Sequence, residues 1–150
     1  MTHELPSGDE TLAQGRPGPR VLAFIICDSV HRDTGTGKAY ILGTFSRIGA
    51  RTLPAKHRRL HVYLALTDGH GDANARLQLV NVADDTPLAK LQGPIHFPSP
   101  LTVVEMDFEI LNLVFPAAGQ YEFRFSCNGE QIAQRPFEVA LRGDATERKL

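Results

Sequence analysis

The feature that most constrains this chain is the alternation across Tyr121–Cys127 and the break that follows it. Tyr121, Phe123, Phe125 and Cys127 fall on one side of a period-two pattern, with Glu122, Arg124, Ser126 and Asn128 on the other. Successive side chains of a strand point to opposite faces, so the segment reads as a half-buried strand. Asn128-Gly129 follows at once. That dipeptide supplies the two positive-φ positions of a type I′ turn, whose twist matches the strands it joins. The return strand, Ile132–Leu141, sets Phe137, Val139 and Leu141 against Glu138 and Arg142. Pro116–Gly119 is the turn that feeds this hairpin. Pro136 has no N–H to give a ladder, so the last strand is expected at a sheet edge or bulged there.

Upstream, turn signals recur at strand spacing. Strand one is Arg20–Val30, and DTGTGK (33–38) turns it into strand two, Ala39–Ile48. Gly49–Arg59, with Pro54, reads as a loop. Strand three, Leu60–Thr67, places Leu60, Val62, Leu64 and Leu66 inward and His61, Tyr63 and Thr67 outward. DGHGD, strand four (Ala75–Val82), DDTP and strand five (Leu88–Gln92, with an extension to Phe97 left open) follow. Strand six, Thr102–Leu113, turns Val104, Met106, Phe108 and Ile110 inward and Glu105, Asp107 and Glu109 outward. No segment carries a helix-length apolar stripe. Eight short strands at this spacing predict an all-β fold, an antiparallel immunoglobulin-like β-sandwich ahead of a closed barrel. The expected organisation is one domain at 20–142, a polar, Gly- and Pro-rich disordered tail at 1–19, and a short charged tail at 143–150.

Strand one departs from one-sided alternation, because VLAFIIC is apolar on both faces. An antiparallel sheet with a wet side would alternate there. A tail, a loop or a second subunit is therefore expected over it, and a homodimer using this sheet is the expectation carried forward. The net charge of −1 gives no reason to expect nucleic acid or an anionic membrane as the main partner. No apolar run approaches membrane-spanning length, and the N-terminal residues contain no secretory apolar core. A cytoplasmic location follows as an expectation. Cys27 and Cys127 then read as reduced, buried thiols.

Each motif with chemical content has a plainer reading beside it. Asp33-Thr34-Gly35 spells the aspartic protease triplet, but His31 and Arg32 intervene after the apolar strand and a glycine-containing hairpin turn explains it. Thr34–Lys38 lacks phosphate-loop spacing. Asp68, His70 and Asp72 can reach a metal, yet they meet no calcium or zinc pattern and suit a solvated turn. Cys27, near Asp28 and His31, sits in the most apolar run, where a thiol is structural. Asp28 needs a partner if buried, Lys38 or an arginine, or else it emerges at the strand end. His96, within the proline-rich GPIHFPSPL, reads as a surface or packing residue of a crossover. No catalytic residue, cofactor or metal site is expected.

The strongest charge feature runs from Arg47 to His61, with five Lys or Arg, two His and no acid. Arg47, Arg51, Lys56, His57, Arg58 and Arg59, beside the aromatic Tyr63, form the candidate partner-binding set. Glu105, Asp107 and Glu109 are the counterweight, able to satisfy these cations within one chain or across a dimer.

Cys27-Asp28 after an apolar strand, GK at 37–38, LPAKHRRLHVYLALTDGHG, GPIHFPSPL, NLVFPAAGQYEF and RPFEV together resemble a family of small bacterial domains of unknown function, predicted to be β-sandwiches. The resemblance spans about residues 20 to 140 and implies one bacterial, cytoplasmic domain, without an activity or a transferable site residue. The functional expectation is a non-enzymatic interaction module that binds another protein or itself. A small-ligand or metal-binding domain using loop-end His and Asp residues is the alternative, and an enzyme centred on Asp33 or Cys27 is the third reading.

Overall fold

The computed structural model describes residues 18–142, so all but the last two residues of the expected tail at 1–19, and the whole of the tail at 143–150, lie outside the described residues. Among these, the chain forms strands and no helix: β1 Arg20–Arg32, β2 Ala39–Thr44, β3 Arg47–Ala50, β4 Ala55–Thr67, β5 Gly71–Asn81, β6 Thr86–Phe97, β7 Val104–Phe115, β8 Gly119–Cys127 and β9 Glu130–Leu141. They build a four-stranded sheet in the order β2-β1-β4-β7 and a five-stranded sheet in the order β3-β9-β8-β5-β6. Both sheets keep free edges, which departs from a closed barrel.

One core lies between the two sheets. Leu60, Val62, Leu64 and Leu66 of β4 meet Leu77 and Leu79 of β5 and Phe123, Phe125 and Phe137 of β8 and β9 in a single buried cluster. The inward set expected for β4 is therefore correct. Phe115, Tyr121 and Phe137 pack as an aromatic corner, with Phe115 edge-on to Tyr121 at 5.0 Å and Tyr121 stacked on Phe137 at 5.9 Å. The Tyr121 hydroxyl donates to the Ala117 carbonyl oxygen at 2.6 Å, which pins the turn that enters β8.

The closing hairpin forms as its sequence predicts. Asn128 has φ 51° and Gly129 φ 84°, the two positive values of a type I′ turn. Pro136 also behaves as its chemistry requires. The Glu138 N–H donates to Ser46 on the β3 side of β9. Pro136, two residues earlier, faces the same side. There β3 does not reach, since it pairs only with Glu138–Leu141. The missing N–H thus falls on an uncovered edge and leaves the β8 ladder intact.

Three expectations need correction. The single strand two is really two strands. The run along β1 ends at Thr44, one residue past Gly43 with its φ of 70°, and the chain then crosses at Phe45-Ser46 into the other sheet. There β3 runs parallel to β9, so the fold has nine strands and one parallel pairing where an antiparallel set of eight was expected. The expected loop Gly49–Arg59 shrinks to the turn Arg51–Pro54, because β4 already begins at Ala55. Its charged residues masked the alternation. Finally, His61, Tyr63 and Thr67 do point away from the core, but they are buried, as β4 lies between β1 and β7 and their side chains cover it.

Candidate binding cleft

The site is a consequence of strand divergence. β1 and β4 pair from Arg20↔Thr67 to Cys27↔His61 and then part. Beyond that point β1 pairs only with β2, and the first residues of β4, Ala55–Arg59, pair only with β7. The parallel strand β3 closes the far side. The result is a row of adjoining recesses along one end of the molecule, all bordered by His57. The recess between β3, the Arg51–Pro54 turn and Arg142 measures about 480 Å³.

His57 is half-buried, with its ring 5.9 Å from the Phe45 ring. Burial pushes its pKa below the usual imidazole value, against a smaller opposing pull from Asp28. Asp28 is exposed and so needs no buried partner, but it lies within β1, four residues before the strand end where it was expected to emerge. Its carboxylate stands directly over Gly43, where a Cβ would collide with it. Gly49 does the same for Arg142, since a Cβ there would come within 3.0 Å of the guanidinium Nε.

Cations outnumber acids along this cleft, with Asp28 the acid in two of its recesses. Arg47, Arg51, Lys56, Arg58 and Arg59 all border it, as does His57, so six of the seven candidate residues come together. Arg47 lies 3.8 Å from Glu138 and Arg59 3.5 Å from Glu109. Arg51, Lys56, Arg58 and Arg142 make no ion pair among the described residues. Arg142 was not among the expected site residues. Only the parallel β3–β9 pairing, which ends with the Arg142 N–H on the Ala50 carbonyl oxygen, brings it here. Leu111 and Val114 expose apolar surface at the other end of the row.

Tyr63 does not join them. It lies on the outer face of the four-stranded sheet, and its hydroxyl bonds to the Glu105 carboxylate. Arg32 Nη1 donates to the other Glu105 oxygen at 2.7 Å and to the Gly37 carbonyl oxygen at 2.9 Å. His61 Nδ1 is 3.0 Å from Asp107. Burial and the Glu105 carboxylate push the Tyr63 pKa up to about 12. The Tyr63 and Arg32 donors hold Glu105 below its ordinary value.

The remaining motifs take structural places. The Asp33 carboxylate accepts from the Thr36 N–H at 2.7 Å and from the Thr36 hydroxyl at 2.8 Å, which holds the β1–β2 turn. Cys27 and Cys127 are buried and free, and burial raises both thiols. Asp68 pairs with Arg20 at 3.0 Å, and Asp72 lies 2.6 Å from His96 Nδ1. Among the described residues no three His, Cys, Asp or Glu side chains gather as metal ligands. Nor is any helix among them long and apolar enough to cross a membrane.

The model of a family of unknown function, DUF6941, matches residues 22–140. The chain belongs to that family. The match reaches every strand, leaving out only the outer ends of β1 and β9, and covers the whole cleft except Arg142. No curated protein matches the sequence. Among solved structures, the chain is similar to the Pseudomonas fluorescens alkylpurine DNA glycosylase AlkC bound to DNA containing an abasic site analog, at 9% identity and TM-score 0.48, covering 81% of this chain and 30% of that one. It is also similar to a Listeria innocua beta-glucosidase in complex with isofagomine, at 12% identity and TM-score 0.41, covering 79% and 16%. The chain thus spans less than a third of either protein.

Proposed function

We propose that this DUF6941 member is a non-enzymatic interaction module whose basic cleft receives an acidic, extended segment of another protein. The observation that carries this reading is the set Arg51, Lys56, Arg58 and Arg142, gathered at one cleft without ion pairs among the described residues. Clustered charge of one sign raises the local concentration of the opposite sign and speeds its docking. The recesses lie in a row and finish at exposed Leu111 and Val114, which suits a chain segment with acids and an apolar anchor.

The topology supports an immunoglobulin-like assignment for the scaffold. β2 and β3 behave as one strand split between sheets, its second half parallel to the last strand. Tyr121 bonds to the backbone upstream of its own strand, in the manner of the tyrosine corner. In this reading β1 is an added strand between β2 and β4. Two free buried thiols fit a reducing, cytoplasmic setting.

The test is a pull-down with the full chain beside its Arg51→Glu/Arg58→Glu variant. A protein captured by the first and lost by the second supports the cleft as its docking site. An identical captured set with both removes the cleft from that role. A small anionic ligand is the second reading, favoured by half-buried His57 at the cleft floor, and a thermal-shift series with inorganic phosphate addresses it. A ligand present at a hundred times its dissociation constant stabilises by about 2.7 kcal/mol.

A further inference from the structure

The recesses of the basic cleft differ in where acids stand. Two of them include Asp28 in their walls. The recess of about 480 Å³ between β3, the Arg51–Pro54 turn and Arg142 has no Asp or Glu in its walls. Three segments bring their polar groups to it. Arg51 and Thr52 stand on the turn, Lys56 and His57 on the first residues of β4, and Arg142 follows the end of β9. Arg51, Lys56 and Arg142 make no ion pair among the described residues. Gly49 leaves room for the Arg142 side chain to lie across β3, because a Cβ there would come within 3.0 Å of its Nε. Ala55 and Phe115, both buried, back the recess with apolar surface. A lower local dielectric strengthens a charge contact made there.

The number of donors selects the anion. A carboxylate carries one charge on two oxygens, and a single guanidinium satisfies it as a bidentate pair. Two guanidiniums, an ammonium, an imidazole and a hydroxyl exceed that need. A phosphomonoester carries a charge of about −1.5 to −2 at pH 7 and three strong acceptor oxygens. That charge and that number of acceptors match the recess. Asp28 then limits the number of phosphates to one. A polyanion with a phosphate for each successive recess would meet its carboxylate in two of them. An isolated phosphoryl group therefore fits better than nucleic acid or polyphosphate.

We infer that the acid-free recess is the subsite for one phosphoryl group, carried on a phosphorylated side chain of the segment that the cleft receives, an inference that rests on the cleft being a docking site for an acidic segment. Arg51 and Arg142 donate to the phosphoryl oxygens in the planar, forked manner of guanidinium, and Lys56 adds a point charge. The segment then runs past Asp28 toward exposed Leu111 and Val114.

Backbone amide NMR of the full chain, titrated with inorganic phosphate and with acetate at equal ionic strength, tests the subsite. The expected result is a saturable shift at Gly49, Arg51, Thr52 and Arg142 with phosphate alone. Arg142→Gln should weaken that binding by about tenfold. Arg58→Gln, at an exposed residue that borders only other recesses, should change it by less than about twofold. No saturable shift, an equal response to acetate, or equal weakening by the two variants overturns the subsite. Capture from a phosphatase-treated lysate tests the source of the phosphoryl group. Loss of the protein that the cleft captures supports a phosphorylated side chain, whereas loss on nuclease treatment overturns it in favour of nucleic acid. Capture that survives phosphatase but is lost in Arg51→Glu/Arg58→Glu overturns the phosphoryl group and leaves the acidic-segment reading standing. A captured set that neither phosphatase nor that variant alters overturns both.

Discussion

The acidic stripe on β7 and the basic run from Arg47 to Arg59 differ in how the fold uses their charge. Glu105 receives Arg32 and Tyr63, Asp107 faces His61, and Glu109 stands 3.5 Å from Arg59. That stripe is closed by its own chain. Among the described residues only two acids form ion pairs with cations of the basic cleft, Glu138 at Arg47 and Glu109 at Arg59, and Asp28 lines two of its recesses. Charge matched inside a protein contributes to folding, whereas charge gathered without a match disfavours the compact state. The two regions should therefore respond oppositely to mutation.

The largest expected effect is on binding. Arg51→Glu/Arg58→Glu should weaken capture of a cleft partner by tenfold or more, about 1.4 kcal/mol or above. Its unfolding free energy should stay within about 0.5 kcal/mol of the parent, since both side chains are exposed. Parallel denaturant unfolding checks this, and a large stability loss would show that the cleft cations serve the fold. The converse comes next. Glu105→Gln should cost about 1 kcal/mol of stability, because it weakens two hydrogen bonds at a partly exposed site, and should leave binding untouched. Lost binding with unchanged stability would reverse the comparison.

The sequence shows the stripe more readily than the cleft, for a physical reason. Glu105, Asp107 and Glu109 alternate along one strand, so their shared face follows from the period alone. The cleft depends on a strand that changes sheets at Phe45-Ser46 and on a parallel pairing that carries Arg142 to Gly49. Neither leaves a local pattern. The basic run itself was legible as a cluster, but not the way its residues divide. Tyr63, on the same strand as Arg59, lies past the point where β1 joins β4 and so belongs to the stripe. The hairpin and the core face of β4 needed only alternation and Asn-Gly, and both could be read directly.

A smaller effect tests the closed half by titration. Glu105 is held below its ordinary value, chiefly by the Tyr63 hydrogen bond and then by Arg32. Its contribution to stability is full above about pH 4.3 and is lost as pH falls through the depressed folded value. Tyr63, raised to about 12 by burial first and Glu105 second, contributes fully below about pH 10 and loses that contribution as pH rises through the folded value. The tyrosine absorbance that disappears in Tyr63→Phe should titrate near pH 12 in the parent chain. Titration near pH 10 would mean that the Tyr63–Glu105 bond does not persist.

The smallest effect belongs to the open half. Burial lowers the His57 pKa, so the folded state prefers the neutral ring. Its contribution to stability is full above about pH 6.5 and is lost as pH falls through the lowered value. Protonation there adds a cation to the cleft floor while it weakens the fold. Binding of an acidic partner should therefore tighten a few-fold on mild acidification, even as the melting temperature falls slightly. His57→Gln should remove both trends together. If acidification instead weakens binding in step with stability, His57 serves packing against Phe45, and the recognition charge lies wholly with the arginines and Lys56.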